Sequence, residues 1–235
     1  MRLSIVIPTW NEAEVLGATL DSLPKDVEVV VADGGSVDGT REAAMQRGAH
    51  VVLAERGRAR QMNRGAREAT GDTLLFLHAD GVLDERAATE IGNALRDPRV
   101  AACSFRLRIR TPGAALALVA LVSNARARYL RMPYGDQGLA LRRSTFDSTG
   151  GFPEFPFLED VAFVRKLGRH GRLVQLDSVI ETGDRHWREA GVLTTTAVNW
   201  TMVALFLCGV SAERLAPHYF SWRSSHDPVP AAQPD

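Results

Sequence analysis

The residues best suited by type to do chemistry fall in short clusters along the chain. His78, Ala79 and Asp80 close the apolar run LLFL, residues 74–77. An imidazole and a carboxylate two positions apart at a strand tip suit either a plain strand end meeting water or a metal site. The Asp80 carboxylate could there hold a divalent cation that bridges a diphosphate. Pro8, Thr9, Asn11 and Glu12 follow one apolar run, and Asp33, Gly34, Gly35 and Ser36 follow another. The carboxylates and amide of Asp33, Asn11 and Glu12 are the groups that read a base and a ribose. Arginines gather at Arg56, Arg58, Arg60, Arg64 and Arg67, and again at Arg106, Arg108 and Arg110. A guanidinium fork suits phosphate.

These clusters must be positioned by the elements around them. Leu3–Ile7, Val27–Val31, His50–Leu53 and Thr73–Leu77 read as short buried strands. Helical spacing falls between them, over 15–23, 41–46, 58–69 and 83–95. Strand and helix in alternation with short loops define an α/β fold with a mostly parallel sheet flanked by helices. Ligands bind such sheets at the carboxyl ends of the strands. Four successive strand ends with polar, Gly-rich or charged tips therefore point to one pocket. Beyond Val100 the pattern predicts a strand over 101–109, a helix over 114–130, a strand over 138–142 and a helix over 159–168. Short strands over 173–176 and 179–181 precede a C-terminal helix over 194–208, and 224–235 reads as a disordered tail.

Composition narrows the classes. With 235 residues, 45% hydrophobic, and no repeat or linker, a single domain over 1–223 is expected. Lys+Arg and Asp+Glu both total 28, so net charge is zero and no nucleic-acid partner is indicated. Cys103 and Cys208 read as reduced core residues. The first residues enter a strand pattern rather than a secretory signal, and the apolar segments fall short of the roughly 20 residues of a spanning helix. A cytoplasmic location is expected. Peripheral contact with the inner face of the membrane stays open through the helices over 114–130 and 194–208. Neither a G-x-G-x-x-G nor a P-loop follows the first strand, which argues against dinucleotide and P-loop chemistry.

The segments IVIPTWNE, VVVADGGSVDGT and GDTLLFLHAD, followed in order by YGDQGLALRR, FPFLEDVAF and RHWREAGV, resemble the signatures of family 2 glycosyltransferases of the GT-A fold. The likeness spans roughly residues 3–210 and is nearest a small, stand-alone bacterial branch with FLHAD and GDQG segments. It implies a Rossmann-like nucleotide-binding half over about 1–100 and an acceptor half over about 101–223. The implied activity is metal-dependent, inverting transfer of a sugar from a nucleoside diphosphate to an acceptor hydroxyl, with Mg2+ or Mn2+ as cofactor.

Carried over by position, the resemblance puts Pro8, Thr9, Asn11 and Glu12 around the nucleoside and Asp33 on the base. Gly34, Gly35 and Ser36 would let the backbone pass close to it; a plain tight turn is the other reading. Arg58 and Asn63 would lie near the ribose or diphosphate. His78, Ala79 and Asp80 occupy the D-x-D metal position, with Asp80 a direct ligand. The family pattern has a carboxylate where this chain has His78, which could ligate the metal or line the donor pocket. Glu159 and Asp160 match the family's E-D pair, whose Asp is the general base; helix capping is the other reading, and both can hold at once. Arg185, His186 and Trp187 fall where relatives cover the diphosphate or acceptor. Gly135, Asp136 and Gln137 form a further polar cluster, with Asp136 and Gln137 able to bond sugar hydroxyls. The acceptor, a small molecule or a lipid-linked one at a membrane surface, and any homodimer are left open. Two other readings compete: a catalytically degenerate sugar-nucleotide binder, and a nucleotidyltransferase, which would need a Gly-rich basic loop after the first strand.

Overall fold

The structure is a computed structural model that describes residues 1–188 and 190–226, without the side chains of His186, Arg188, Ser225 and His226. Four strands, β1 (Leu3–Thr9), β2 (Glu28–Asp33), β3 (His50–Leu53) and β4 (Thr73–Phe76), alternate with helices α1 (Ala13–Asp21), α2 (Thr40–Gln46) and α3 (Arg58–Glu68). All four strands are parallel. Every residue of β1 is buried, as expected of a central strand covered on both faces. Then come β5 (Val82–Leu83), α4 (Ala87–Leu95), β6 (Val100–Ile109) and α5 (Ala114–Leu130). A 3-10 turn over Gly135–Gln137 leads to β7 (Leu139–Arg142), α6 (Arg143–Thr149), α7 (Glu159–Leu167) and β8 (Arg172–Thr182). The described chain ends with α8 (Arg185–Arg188), α9 (Val192–Leu207) and α10 (Ala212–His226).

One sheet of order β3-β2-β1-β4-β7-β6-β8-β5 joins both halves of the chain. β7 runs against β4 and β6, β8 runs with β6, and β5 runs against β8. One core lies under α1 and α4, and a second lies under α3, α6 and α7. Gly65 lets α3 sit directly on the sheet, since a Cβ there would come within 2.4 Å of Val6 Cγ1. That contact sets where Arg58 and Gln61, on the same helix, reach the strand ends.

Several expected elements change. The helix expected over 83–95 begins only at Ala87, because Val82 and Leu83 pair with β8. Asp84 then turns the chain, its carboxylate accepting the Arg86 N–H at 2.8 Å. The two short strands expected over 173–181 are one strand with a bulge, where Ser104–Arg106 of β6 oppose Gln175–Val179. β4 stops at Phe76, so Leu77 and His78 lie beyond it. The expected core residue Cys208 is exposed at the end of α9, whereas Cys103 is buried. Ser224 belongs to α10, a helix concealed in the sequence by its internal Pro217; residues 227–235 of the expected tail lie outside the described residues.

Candidate functional site

Strand direction alone gathers the chemical residues. The carboxyl ends of β1, β2, β3, β4, β6 and β8 share one edge of the sheet with the amino ends of β5 and β7. That edge collects Thr9–Glu12, Asp33–Ser36, Arg56–Arg58, His78, Asp80, Arg110, Tyr134–Gln137 and Arg185. Glu159 and Asp160 join them at the first turn of α7.

On the β1–β3 side the loops are internally completed. Thr9 and Asp33 are register neighbours, and the Thr9 hydroxyl donates to Asp33 Oδ2 at 3.1 Å. Asp33 also accepts the Gly35 and Ser36 N–H groups at 3.0 and 2.8 Å and the Ser36 hydroxyl, while Arg41 stands 3.9 Å away. Gly35 takes φ +91°, a left-handed conformation that glycine allows without strain. Asn11, itself at φ +54°, accepts the Val37 N–H with its Oδ1 at 3.0 Å. Asp38 serves two helix termini: it accepts the Ala13 N–H of α1 and the Thr40 N–H of α2. Pro8 is buried within β1. Ala79 is buried in the core, its carbonyl taken by the Thr19 hydroxyl at 2.7 Å. Gln61, which carried no sequence signal, ties β1 to β2 by donating to Thr9 O and Ala32 O at 2.6 and 3.0 Å.

At the centre, His78 and Asp160 meet across Gly135. Asp160 Oδ2 accepts the Gly135 N–H at 2.7 Å, and its Oδ1 accepts the Val161 N–H at 2.8 Å, so helix-end bonding and site placement coincide. A Cβ on Gly135 would fall 2.8 Å from His78 Nε2 and 3.2 Å from Asp160 Oδ2, so only glycine admits this approach. Glu159 is buried and accepts Arg58 Nε–H at 2.6 Å. Burial raises the Glu159 carboxyl above its ordinary value, Arg58 opposes that rise, and Asp160 adds to it. The same electrostatics hold Arg58 charged, with Glu159 the main cause. Desolvation, helped by the Arg58 cation, pushes His78 down to about 4 despite nearby Asp80 and Asp160. The imidazole is therefore neutral at pH 7.

Asp136 is raised to about 6, chiefly by burial, and its Oδ1 is buried without a hydrogen-bond partner among the described residues. Gln137, expected to face sugar hydroxyls, is instead fully buried. Its amide is spent on Phe105 O, Asn124 Oδ1 and the Arg126 guanidinium, so it braces the turn. Arg126, another residue without a sequence signal, donates to Met132 O at 2.8 Å and stacks 3.3 Å from the Tyr134 ring centroid. Asn63, expected near the diphosphate, turns away to exchange two hydrogen bonds with the Phe152 backbone, each 2.9 Å. Glu12 pairs with Arg185 Nη2 at 2.7 Å, which ties the loop after β1 to the segment after β8. Burial raises the Glu12 carboxyl, and Arg185 opposes it. Trp187 packs with Ile109, Leu116 and Ala120, whereas the His186 side chain lies outside the described residues.

The donors fit a small divalent cation shared with phosphate. Asp80 offers a carboxylate, His78 a neutral imidazole, and Asp136 a buried oxygen without a partner. Among the described residues no three His, Cys, Asp or Glu side chains form a closed cage. A Mg2+ or Mn2+ held by one or two protein groups and completed by phosphate oxygens needs no such cage.

A mostly parallel sheet whose carboxyl edge gathers Asp33, His78–Asp80 and a facing Glu159–Asp160 pair is a GT-A type nucleotide-binding fold. The chain belongs to glycosyl transferase family 2, whose sequence profile matches residues 4–152. A "PGL/p-HBAD biosynthesis glycosyltransferase" of Mycobacterium bovis is 43% identical over 93 residues, 35% of this chain and 36% of that protein. A Haloferax volcanii glycosyltransferase is 34% identical over 117 residues, 47% of this chain and 38% of its own length. The chain thus spans little more than a third of these curated relatives. Among solved structures, a mannosyltransferase of Pyrobaculum calidifontis in complex with GDP-Man and Mn2+ superposes with TM-score 0.61 at 27% identity, covering 77% of this chain and 56% of that one.

Proposed function

We propose that the protein transfers a glycosyl group from a nucleoside-diphosphate sugar to an acceptor hydroxyl with inversion, Asp160 acting as general base. The observation that carries this reading is the meeting of Asp160 and neutral His78 across Gly135, at the edge where β4 ends. The residues through 100 would hold the nucleotide and those over 101–223 the acceptor. Asp33, braced by four donors, would accept from the base, with Thr9, Asn11 and Ser36 shaping its wall.

Asp160 would take the acceptor proton as the hydroxyl attacks the anomeric carbon from the side opposite the diphosphate, a single displacement that inverts. Fixed by two backbone N–H groups, the carboxylate needs little reorganisation to do so. Charge developing on the leaving diphosphate lies within reach of Arg58, Arg110 and Arg185, all at the same edge. A Mg2+ or Mn2+ at Asp80 and His78 would add charge neutralisation there. That the mannosyltransferase neighbour was solved with GDP-Man and Mn2+ supports both the donor class and the cation.

The test is a thermal-shift screen of nucleoside-diphosphate sugars with and without Mn2+, followed by a transfer and donor-hydrolysis assay on the best binder. A stabilising sugar nucleotide that turns over is the expected result. Binding without turnover would favour the catalytically silent binder, an outcome that the His in place of the family's first metal carboxylate makes worth separating. No stabilisation by any sugar nucleotide would remove the donor assignment.

A further inference from the structure

We propose that α5 and α9 form a docking face for the surface of an anionic phospholipid bilayer. The inference stands independently of the sugar-transfer reading. Exposed large apolar side chains are not scattered over this molecule: nine of thirteen among the described residues lie on α5, α9 or α10. On α5, Leu118 and Leu121 are 57% and 64% exposed and share a helix face with Ala114 and Ala125. On α9, Leu193, Ala197, Trp200, Ala204 and Leu207 repeat at helical spacing on the solvent side, opposite the buried Thr195. Residues 192–210 contain no charged residue. The two helices are neighbours, with Val192 packed against Leu116 and Ala120. Exposed apolar side chains gathered on neighbouring helices in this way mark an interaction surface.

Charge says which partner. One turn beyond Leu121 and Ala125, the same face of α5 reaches Arg128, and Tyr129, Leu130 and Arg131 follow, all exposed. Arg128 and Arg131 have no ion-pair partner among the described residues and line a groove of roughly 350 Å3 in which Arg172 makes a third cation and Asp177 the one carboxylate. Only Arg172 is neutralised, by Asp97 at 2.9 Å. An apolar helix face with an aromatic residue at its border and free arginines at its end is the pattern of a helix lying in a bilayer interface. A protein partner would need its own acidic and apolar complement, whereas an anionic membrane offers both over any area. No helix among the described residues is long and apolar enough to cross a membrane, so the contact is to its surface.

The inward side of α9, behind that face, packs beside the segment that leads into the candidate site. Val203 of α9 packs in one cluster with Phe157 and Leu158, which lead directly into Glu159 and Asp160.

Vesicle flotation with the full chain tests the idea, using phosphatidylcholine alone and phosphatidylcholine mixed with phosphatidylglycerol. Binding to the anionic vesicles is expected, weakened by salt, with a blue shift of Trp emission that the Trp200→Phe variant loses. Arg128→Glu with Arg131→Glu should lower vesicle affinity at least about tenfold, since each arginine near such a surface contributes about 1 kcal/mol. Leu121→Gln with Leu193→Gln should lower it at any salt concentration. Exposed positions make unfolding easy to rule out by an unchanged melting temperature. Failure of the wild-type chain to float with anionic vesicles would overturn the proposal. So would a sedimentation result in which the wild type is a dimer that the apolar pair of changes dissociates, for then a second copy covers the face.

Discussion

The first hundred residues and the rest of the chain differ in how far they are complete by themselves. In the first part, strand ends are closed by their own loops: Asp33 is satisfied by Thr9, Gly35 and Ser36, and Asp38 serves two helix termini. In the second, buried oxygens of Asp136, Ser178, Thr195 and Thr196 lack a hydrogen-bond partner among the described residues, and most exposed apolar side chains sit there. Buried polar atoms are rarely left unpaired without a reason. The side proposed to hold the nucleotide is therefore internally braced, whereas the facing side carries the buried oxygens left unpaired among the described residues and most of the exposed apolar side chains.

Four measurements press on that contrast. The largest effect is expected from Asp160→Asn, which keeps one of the two oxygens that accept the Gly135 and Val161 N–H groups and removes the proposed base. Transfer should fall about 10²–10⁴-fold, far more than the roughly 1 kcal/mol of stability lost with one hydrogen bond. Full activity in this variant would assign the proton to another group. Next, Arg58→Met leaves Glu159 buried and uncompensated. Because the arginine is itself 45% exposed, the loss should be about 2 kcal/mol rather than the larger cost of a fully buried pair. Denaturant unfolding should show it, and adding Glu159→Gln should restore most of the stability. Third, Gly135→Ala drives a methyl group against His78 and Asp160. Displaced catalytic geometry should cost about tenfold or more in kcat with little change in donor affinity; a purely structural turn would lose stability instead.

The smallest effect belongs to the completed half. Glu28 is held by Ser4 and Thr70, whose hydrogen bonds outweigh desolvation and lower its carboxyl below 4.5. Unfolded Glu28 titrates near 4.5 and folded Glu28 lower, so this stability is present above that pH and lost as pH falls through the folded value. Glu28→Gln should cost about 1 kcal/mol at pH 7. Urea melts between pH 7 and pH 3 should show the variant and wild type converging in acid, and parallel curves would exclude the linkage.

How far the sequence revealed this contrast depends on the type of signal. Parallel strands announce themselves as β-branched runs, so β1 to β4 and the polar residues at their tips are legible. The E-D pair and the His-Ala-Asp tip were legible as types, and the structure brings them to one edge. What stayed hidden were residues whose role is to hold others. Gln61 bonds to backbone carbonyls far from it in sequence, which no local pattern encodes, and Arg126 caps the Met132 carbonyl only because the chain turns back after α5. Gln137 and Asn63 fail in the opposite sense: their amides look available for ligand, yet tertiary contacts consume them. Boundaries slipped where short-range rules compete, as at Asp84, whose turn takes three residues from the expected helix, and Pro217, which sits inside α10.

The antiparallel strand β7 also bears on how the chain matures during synthesis. Until Leu139–Arg142 emerges from the ribosome, β4 can pair only with β1, and the other edge of its apolar TLLF segment stays open. Roughly 60 residues separate the two strands, which at about 5–20 residues per second leaves that edge bare for seconds. Open apolar edges recruit other strands. Nascent chains stalled after β6 should therefore cross-link to holding chaperones, and chains stalled once α7 is outside the exit tunnel should not. Equal capture at both lengths would mean that the edge is shielded by something other than β7.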